Sequence, residues 1–128
     1  MPPADPARRS CCPIACTLDL IGDRWTLLVL RDLFAGRTRY SDFQRSPEGI
    51  ATNILADRLE LLVRHALVDK HAEGPKRHHT YRLTDKGRSL EPVLWAVAHW
   101  GLQHIEGTEA RIVPPGATSE RQPDRSDP

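Results

Sequence analysis

"ATNILADRLELLVRHALVDK", Ala51 to Lys70, decides how this chain is read. At roughly 100 degrees per residue from Leu55, the residues Leu59, Leu62 and Ala66 fall within about 40 degrees of it. Asn53, Asp57, Glu60 and Arg64 fall on the opposite side. That stripe predicts an amphipathic helix whose apolar face enters a core. Thr52 is expected to cap its start. The following "LVDKHA" alternates as a strand does, with Val68 and Ala72 on the same face as Lys70. What the outward face of the helix meets then depends on its neighbours.

Upstream, "CPIACTLDLIG" carries Ile14, Leu18 and Ile21 at helical spacing and predicts a short helix ending at Gly22. "DRWTLLVLRDLFAG" has almost no polar face from Trp25 to Phe34, which predicts a central, buried helix stopped at Gly36. "RTRYSDFQRSP" predicts a short helix capped by Ser41, holding Phe43 and stopped by Pro47. Downstream, "EGPKRHH" supplies a Gly-Pro turn. "TYRLT" alternates again, with Tyr81 and Leu83 on one face, so a β-hairpin is expected. Thr84 is expected to cap one long last helix with Leu90, Leu94, Val97, Gly101 and His104 on a stripe, kinked at Pro92.

The chain has 128 residues, 39% hydrophobic and 27% charged, enough for one domain. That domain is expected over 12–106. Residues 1–11 and 107–128, where most of the prolines lie, are read as disordered tails too poor in large apolar residues to offset chain entropy. No apolar run approaches a membrane span and the start lacks a signal core, so the cytoplasm is expected. There Cys11, Cys12 and Cys16 would be thiols. A net charge of +1 does not announce a nucleic-acid binder; the placement of charge has to.

Three short helices, a two-stranded hairpin and a helix form the order of a winged helix-turn-helix. The expected fold is mainly α with a small β-hairpin, with N- and C-terminal helices for dimerisation. The outward face of the quoted helix would then lie in the major groove of double-stranded DNA. Thr52, Asn53, Ala56 and Asp57 are expected on base edges, since Asn can pair with adenine and Asp can accept from cytosine. Arg37, Arg39, Ser41, Arg58, Lys76, Arg77 and His78 are expected on phosphates. A solvated helix shows the same polar face, and Asp57 and Glu60 would repel phosphate. A winged-helix protein–protein interaction module is therefore an alternative, as is a thiol or metal sensor without DNA binding. No P-loop, G-x-S-x-G, H-E-x-x-H or dinucleotide fingerprint suggests an enzyme. No cofactor is implied, and the cysteine and histidine spacings match no usual zinc site.

The segments "CP…TLDLIGDRWTLLVLRDLFAG", "RYSDFQRSPEGIATNILADRLELLVRHALV" and "YRLTDKGRSLEPVLWAVAHWG" resemble the HxlR family of bacterial transcription regulators. The likeness runs from about Cys12 to Gly101. It implies a dimeric winged-helix DNA-binding regulator with Thr52, Asn53 and Asp57 on the recognition helix, and a homodimer built from the first and last helices. Ile14, Leu18, Leu94, Trp95, Val97 and Trp100 are the expected interface, more apolar surface than one small domain would leave in water. Ala51, Asn53 and Glu60 depart from the family's frequent Ser, Arg and basic residues, so the operator does not carry over. Some members sense oxidants or electrophiles through a Cys before Pro near the first helix. Cys12 matches that place, and Cys16 lies a turn further on. The alternative is an inert interface cysteine. A repressor is the expected mode, with a small molecule or thiol modification as effector.

Overall fold

The buried residues of the computed structural model, which describes residues 8–74 and 78–110, fall largely where the periodicities put them. Helix α1 spans Pro13–Ile21; Cys12 stands at its N-cap with extended backbone and Pro13 opens the first turn, where a missing N–H is harmless. Gly22 ends it, its N–H donating to the Leu18 carbonyl at 2.7 Å. Helix α2, Thr26–Phe34, begins after Trp25, which is its N-cap rather than its first turn. Asp23 shapes that start: it accepts from the Trp25 N–H at 2.9 Å, from the Thr26 N–H at 3.1 Å, and from the Thr26 hydroxyl. Thr26 can therefore be fully buried without an unpaired hydroxyl.

Helix α2 is central, yet one of its buried residues is Asp32. This carboxylate accepts from Arg31, from Arg37 at 3.1 Å and from the Ser46 hydroxyl. Arg31 also grips Glu48 through two bonds of 2.8 and 2.9 Å. The Glu48 pairing raises the Arg31 guanidinium's pKa, and the same bond lowers that of Glu48. These links tie α2 to the turn between helix α3, Tyr40–Gln44, and helix α4, Thr52–Arg64.

The caps of those two helices correct the sequence reading. Ser41 lies inside α3; Arg39 is the N-cap residue, and Asp42 accepts from the Thr38 and Arg39 N–H groups at 3.3 and 3.1 Å. A third-position carboxylate reaching back serves the free N–H groups better than Ser41 could. The N-cap of α4 is Ala51, and Thr52 is its first residue. The Tyr40 hydroxyl instead secures this end by donating to the Thr52 carbonyl at 2.8 Å.

Leu55, Leu59 and Leu62 of α4 are buried against Val29, Leu30, Leu33 and Phe43. Ala66 does not continue that face. The helix ends before it, and Ala66 is exposed in the left-handed region at φ 62°. That reversal costs about 1–2 kcal/mol and is offset by turning Leu67 and Val68 inward. Strands β1, Val68–Glu73, and β2, His78–Leu83, pair antiparallel with Lys70 opposite Tyr81 and Val68 opposite Leu83. The Tyr81 N–H donates to the Thr38 carbonyl at 2.8 Å, and Arg39 bridges Thr80, so the hairpin is anchored to the loop ahead of α3.

The expected long, kinked last helix is two helices. Thr84 caps only α5, Asp85–Arg88, accepting from the Gly87 N–H at 3.0 Å while donating to the Ala66 carbonyl at 2.6 Å. A Cβ at Gly87 would lie 2.1 Å from the Leu67 carbonyl oxygen, so only glycine allows α5 to seat there. Helix α6, Glu91–His104, then starts afresh with Pro92 in its first turn, where proline needs no kink. Among the described residues no helix is long and apolar enough to cross a membrane. The expected tails fall mostly on 1–7 and 111–128, outside the described residues.

Candidate nucleic-acid interface

Helix α4 stands at the edge of this body with its leucines inward. Thr52, Asn53, Ala56, Asp57 and Glu60 are all exposed, on one continuous outward face. Its orientation is held at three points: the Tyr40 hydroxyl at the N-terminus, the leucine stripe along its length, and Arg58 on its flank. Arg58 lies 3.5 Å from Asp23 and 3.4 Å from Asp57. Burial pushes the Asp23 carboxyl up, but the Thr26 hydroxyl, the backbone N–H groups and the Arg58 charge together hold it below the usual range. Arg58 is thus engaged with the start of α2, its side chain only 24% exposed, which sets it apart from the other cations expected on phosphates.

The other residues expected on phosphates divide. Arg39, Ser41 and His78 are exposed and lie near one another through the Arg39–Thr80 bridge. Arg37 is exposed but shared with buried Asp32. Lys76 and Arg77, expected at the wing tip, lie outside the described residues. The face therefore consists of a polar helix surface, with Arg39 at the start of α3 bridged to Thr80 of the hairpin and His78 at the turn end of β2. Arg24 is exposed near α4's Asp23 anchor and stacks over Trp25 at 5.3 Å; the sequence reading passed over it because an isolated Arg before a Trp carries no periodic signal. Asp32 and Tyr40, which hold α2, α3 and α4 in register, were likewise missed: Ser46 and Thr52, the partners through which they do so, lie 14 and 12 residues away.

At the ends of the chain the described residues leave apolar surface uncovered. Ile14 is 70% exposed and Leu18 54%. On α6, Val97 is 54% exposed and Trp100 60%, with Trp100 stacked on His104 at 4.7 Å between ring centres. Trp95 is half-buried. Leu94 departs from expectation: it is 8% exposed and packs within its own chain. With α6 separated from α5, its buried side is set by the α2 contact and not by one stripe shared with α5. Cys11 and Cys12 are exposed free thiols, and Cys16 is half-buried with its Sγ 3.2 Å from the Ser10 carbonyl. The described histidines are all at the surface. Among the described residues no cluster of three His, Cys, Asp or Glu could hold a metal.

Comparison with known proteins follows the same outline. Residues 20–109 match the profile of the HxlR-like helix-turn-helix family. An HTH-type transcriptional regulator of Mycobacterium tuberculosis is 38% identical over 94 residues, which is 72% of this chain and 58% of that protein. This chain thus spans little more than half the length of that relative. The crystal structure of PA1607 superposes with a TM-score of 0.76 at 41% identity, covering 88% of this chain and 80% of that one. The redox regulator HypR in its oxidized form superposes with a TM-score of 0.69 at 28% identity, covering 74% of this chain and 99% of HypR. A winged helix-turn-helix built on these residues, matched over most of its described length, makes this chain a member of the HxlR-like helix-turn-helix family of transcription regulators.

Proposed function

We propose that this chain binds double-stranded DNA sequence-specifically in the cytoplasm, as a two-fold homodimer on an inverted repeat, and acts as a repressor. The observation that carries the reading is α4: a helix with Leu55, Leu59 and Leu62 buried and Thr52, Asn53, Ala56 and Asp57 exposed on its far side. A major groove admits one such helix, and side chains near its N-terminus reach base edges. Arg37, Arg39, Ser41 and His78, with Lys76 and Arg77 beyond the described residues, take the flanking phosphates. Arg58 serves phosphate at most through the donors that Asp23 and Asp57 leave free.

One winged helix reads a short half-site, so two are needed. The exposed Ile14, Leu18, Val97 and Trp100, together with half-buried Trp95, supply the apolar surface a symmetric partner would cover. A small molecule or a thiol modification tunes the binding. The likeness to the redox regulator HypR supports the thiol, as does the exposure of Cys12 at the N-cap of α1.

Titration of a selected DNA site against random DNA at several salt concentrations tests this. Affinity is expected to fall steeply with salt on both. Asn53→Ala is expected to cost about 1–3 kcal/mol on the selected site and far less on random DNA. Binding indifferent to salt would favour the interaction-module reading. Mild oxidant should change site affinity in the wild type and leave Cys12→Ser unaffected.

A further inference from the structure

A groove of about 370 Å³ opens between the C-terminal turn of α2, strand β2 and the start of α6. Its size falls in the roughly 300–1,000 Å³ range of small-molecule sites. Leu33 and Phe34 form one apolar wall, Tyr81 and Leu83 the other. Three guanidiniums from three separate elements, Arg37, Arg82 and Arg88, face it, against the single carboxylate of Glu91. We propose that this groove binds a small organic anion, a carboxylate on an apolar body of ring size, and that its occupancy weakens DNA binding. The proposal rests on the DNA-binding reading above and names the chemical class of its effector.

The chemistry of the lining selects that class. Each arginine is within 4 Å of one carboxylate among the described residues, Arg37 also acts at longer range on Glu48, and none of the close pairs is buried at both ends. Arg37 meets Asp32 at 3.1 Å, Arg82 meets Glu73 at 3.6 Å, and Arg88 meets Asp85 at 3.3 Å. The three arginine side chains remain 43%, 59% and 60% exposed. A guanidinium has five N–H donors in a fork that fits a carboxylate, so donors remain for a bound one. Inorganic phosphate would use the cations and leave the half-buried Phe34 and Leu83 uncovered. A neutral ring would cover those side chains and leave the cations unused. Only a molecule with both parts matches both surfaces.

The location supplies the consequence. Thr38 also lines the groove, and its carbonyl holds the Tyr81 N–H, so the groove's wall is the junction of the hairpin with the loop ahead of α3. Arg37 is shared between the two proposed roles. A guanidinium turned to a bound carboxylate is withdrawn from a DNA phosphate, and by linkage DNA weakens the ligand as much as the ligand weakens DNA.

Calorimetric titration of the full chain with 2-naphthoate, 2-naphthamide and inorganic phosphate tests the site without DNA. Saturable binding of naphthoate is expected, with the amide weaker by roughly tenfold or more and phosphate showing none. Arg88→Gln, at an exposed position outside the DNA-facing set, should weaken naphthoate roughly tenfold and leave ligand-free DNA affinity unchanged. Arg82→Gln repeats that arm should the first variant lose helical content. In the wild type, naphthoate should lower DNA affinity. The groove assignment is overturned by absent naphthoate binding, by equal binding of the amide, or by indifference to both substitutions. Naphthoate binding that leaves DNA affinity unchanged overturns the regulatory half. A ligand-free protein that binds naphthoate and no DNA would instead sink the function proposed above.

Discussion

Helix α4 and helix α6 are nearly equal in length and use their apolar residues in opposite ways. In α4 the leucines at 55, 59 and 62 are at most 1% exposed, and what is fully exposed is polar or charged except for Ala56. In α6 one apolar side chain, Leu94, is buried, while Val93, Val97, Trp100 and Leu102 stand in solvent. Mean exposure is not the point, since isolated surface apolar residues are ordinary. The concentration on one terminal helix, matched by Ile14 and Leu18 on the other, is what a single small domain avoids. One region is complete within the chain; the other leaves exposed the apolar face that the proposed dimer would cover.

The contrast breaks most visibly at α4. Leu59→Ala would leave a cavity among fully packed neighbours and is expected to lower unfolding free energy by about 2–5 kcal/mol, measured by denaturant titration. A loss below about 1 kcal/mol would show that this core is looser than its burial implies. At α6 the expected signature is different. Trp100→Glu should convert a dimer to a monomer in light scattering at micromolar concentration, with helical content retained and specific DNA binding lost. A wild-type monomer under those conditions would remove both the interface and the inverted repeat. Leu94→Glu is expected to resemble Leu59→Ala, since Leu94 belongs to its own chain's core.

A smaller effect sharpens how α4 is held. Asp23, Asp42 and Glu48 all sit below the usual carboxylate range. For Asp42 the main cause is the Arg39 N–H, and for Glu48 it is the Arg31 guanidinium. A carboxylate with a depressed folded pKa stabilises the fold above its unfolded value, near about 4, and loses that contribution as pH falls through the folded value. Stability should therefore be level at neutral pH and decline in acid. Asp23→Asn should flatten part of that decline. Its cost at neutral pH is expected to stay within about 1 kcal/mol, because the pair with Arg58 is partly solvated. An acid profile unchanged in Asp23→Asn would show that the Asp23 bonds to Thr26 and Trp25 and its pairing with Arg58 do not stabilise the fold.

Much of the fold was legible because helical and strand periodicities are local. Leu55, Leu59 and Leu62 declare their face without reference to any other element, and so do Val68, Tyr81 and Leu83. The candidate site was legible in the same way: Thr52, Asn53, Ala56 and Asp57 are what the leucines leave outside. The errors lie at element ends. Ser41 and Thr52 are the residue types that cap best, yet at α3 Asp42 accepts from the free N–H groups, and at α4 no side chain caps while the Tyr40 hydroxyl ties down the Thr52 carbonyl; only the folded chain defines those positions. Ala66 fits the leucine stripe by angle, but the helix stops before it so that Leu67 and Val68 can turn inward.

By itself, then, the order of apolar and polar residues determined most of the element types, the inward face of each, the outward polar face of α4 and the surplus apolar residues at the two ends. These follow from bond geometry repeated along a chain. The tertiary structure alone decided which charges are spent inside the protein. Arg58 is drawn to Asp23, Ser46 reaches buried Asp32, and α5 seats against the Leu67 carbonyl because Gly87 carries no Cβ. Each depends on the distance between groups remote in sequence, and ion pairs and steric contacts are set by distance in space, which no periodicity records.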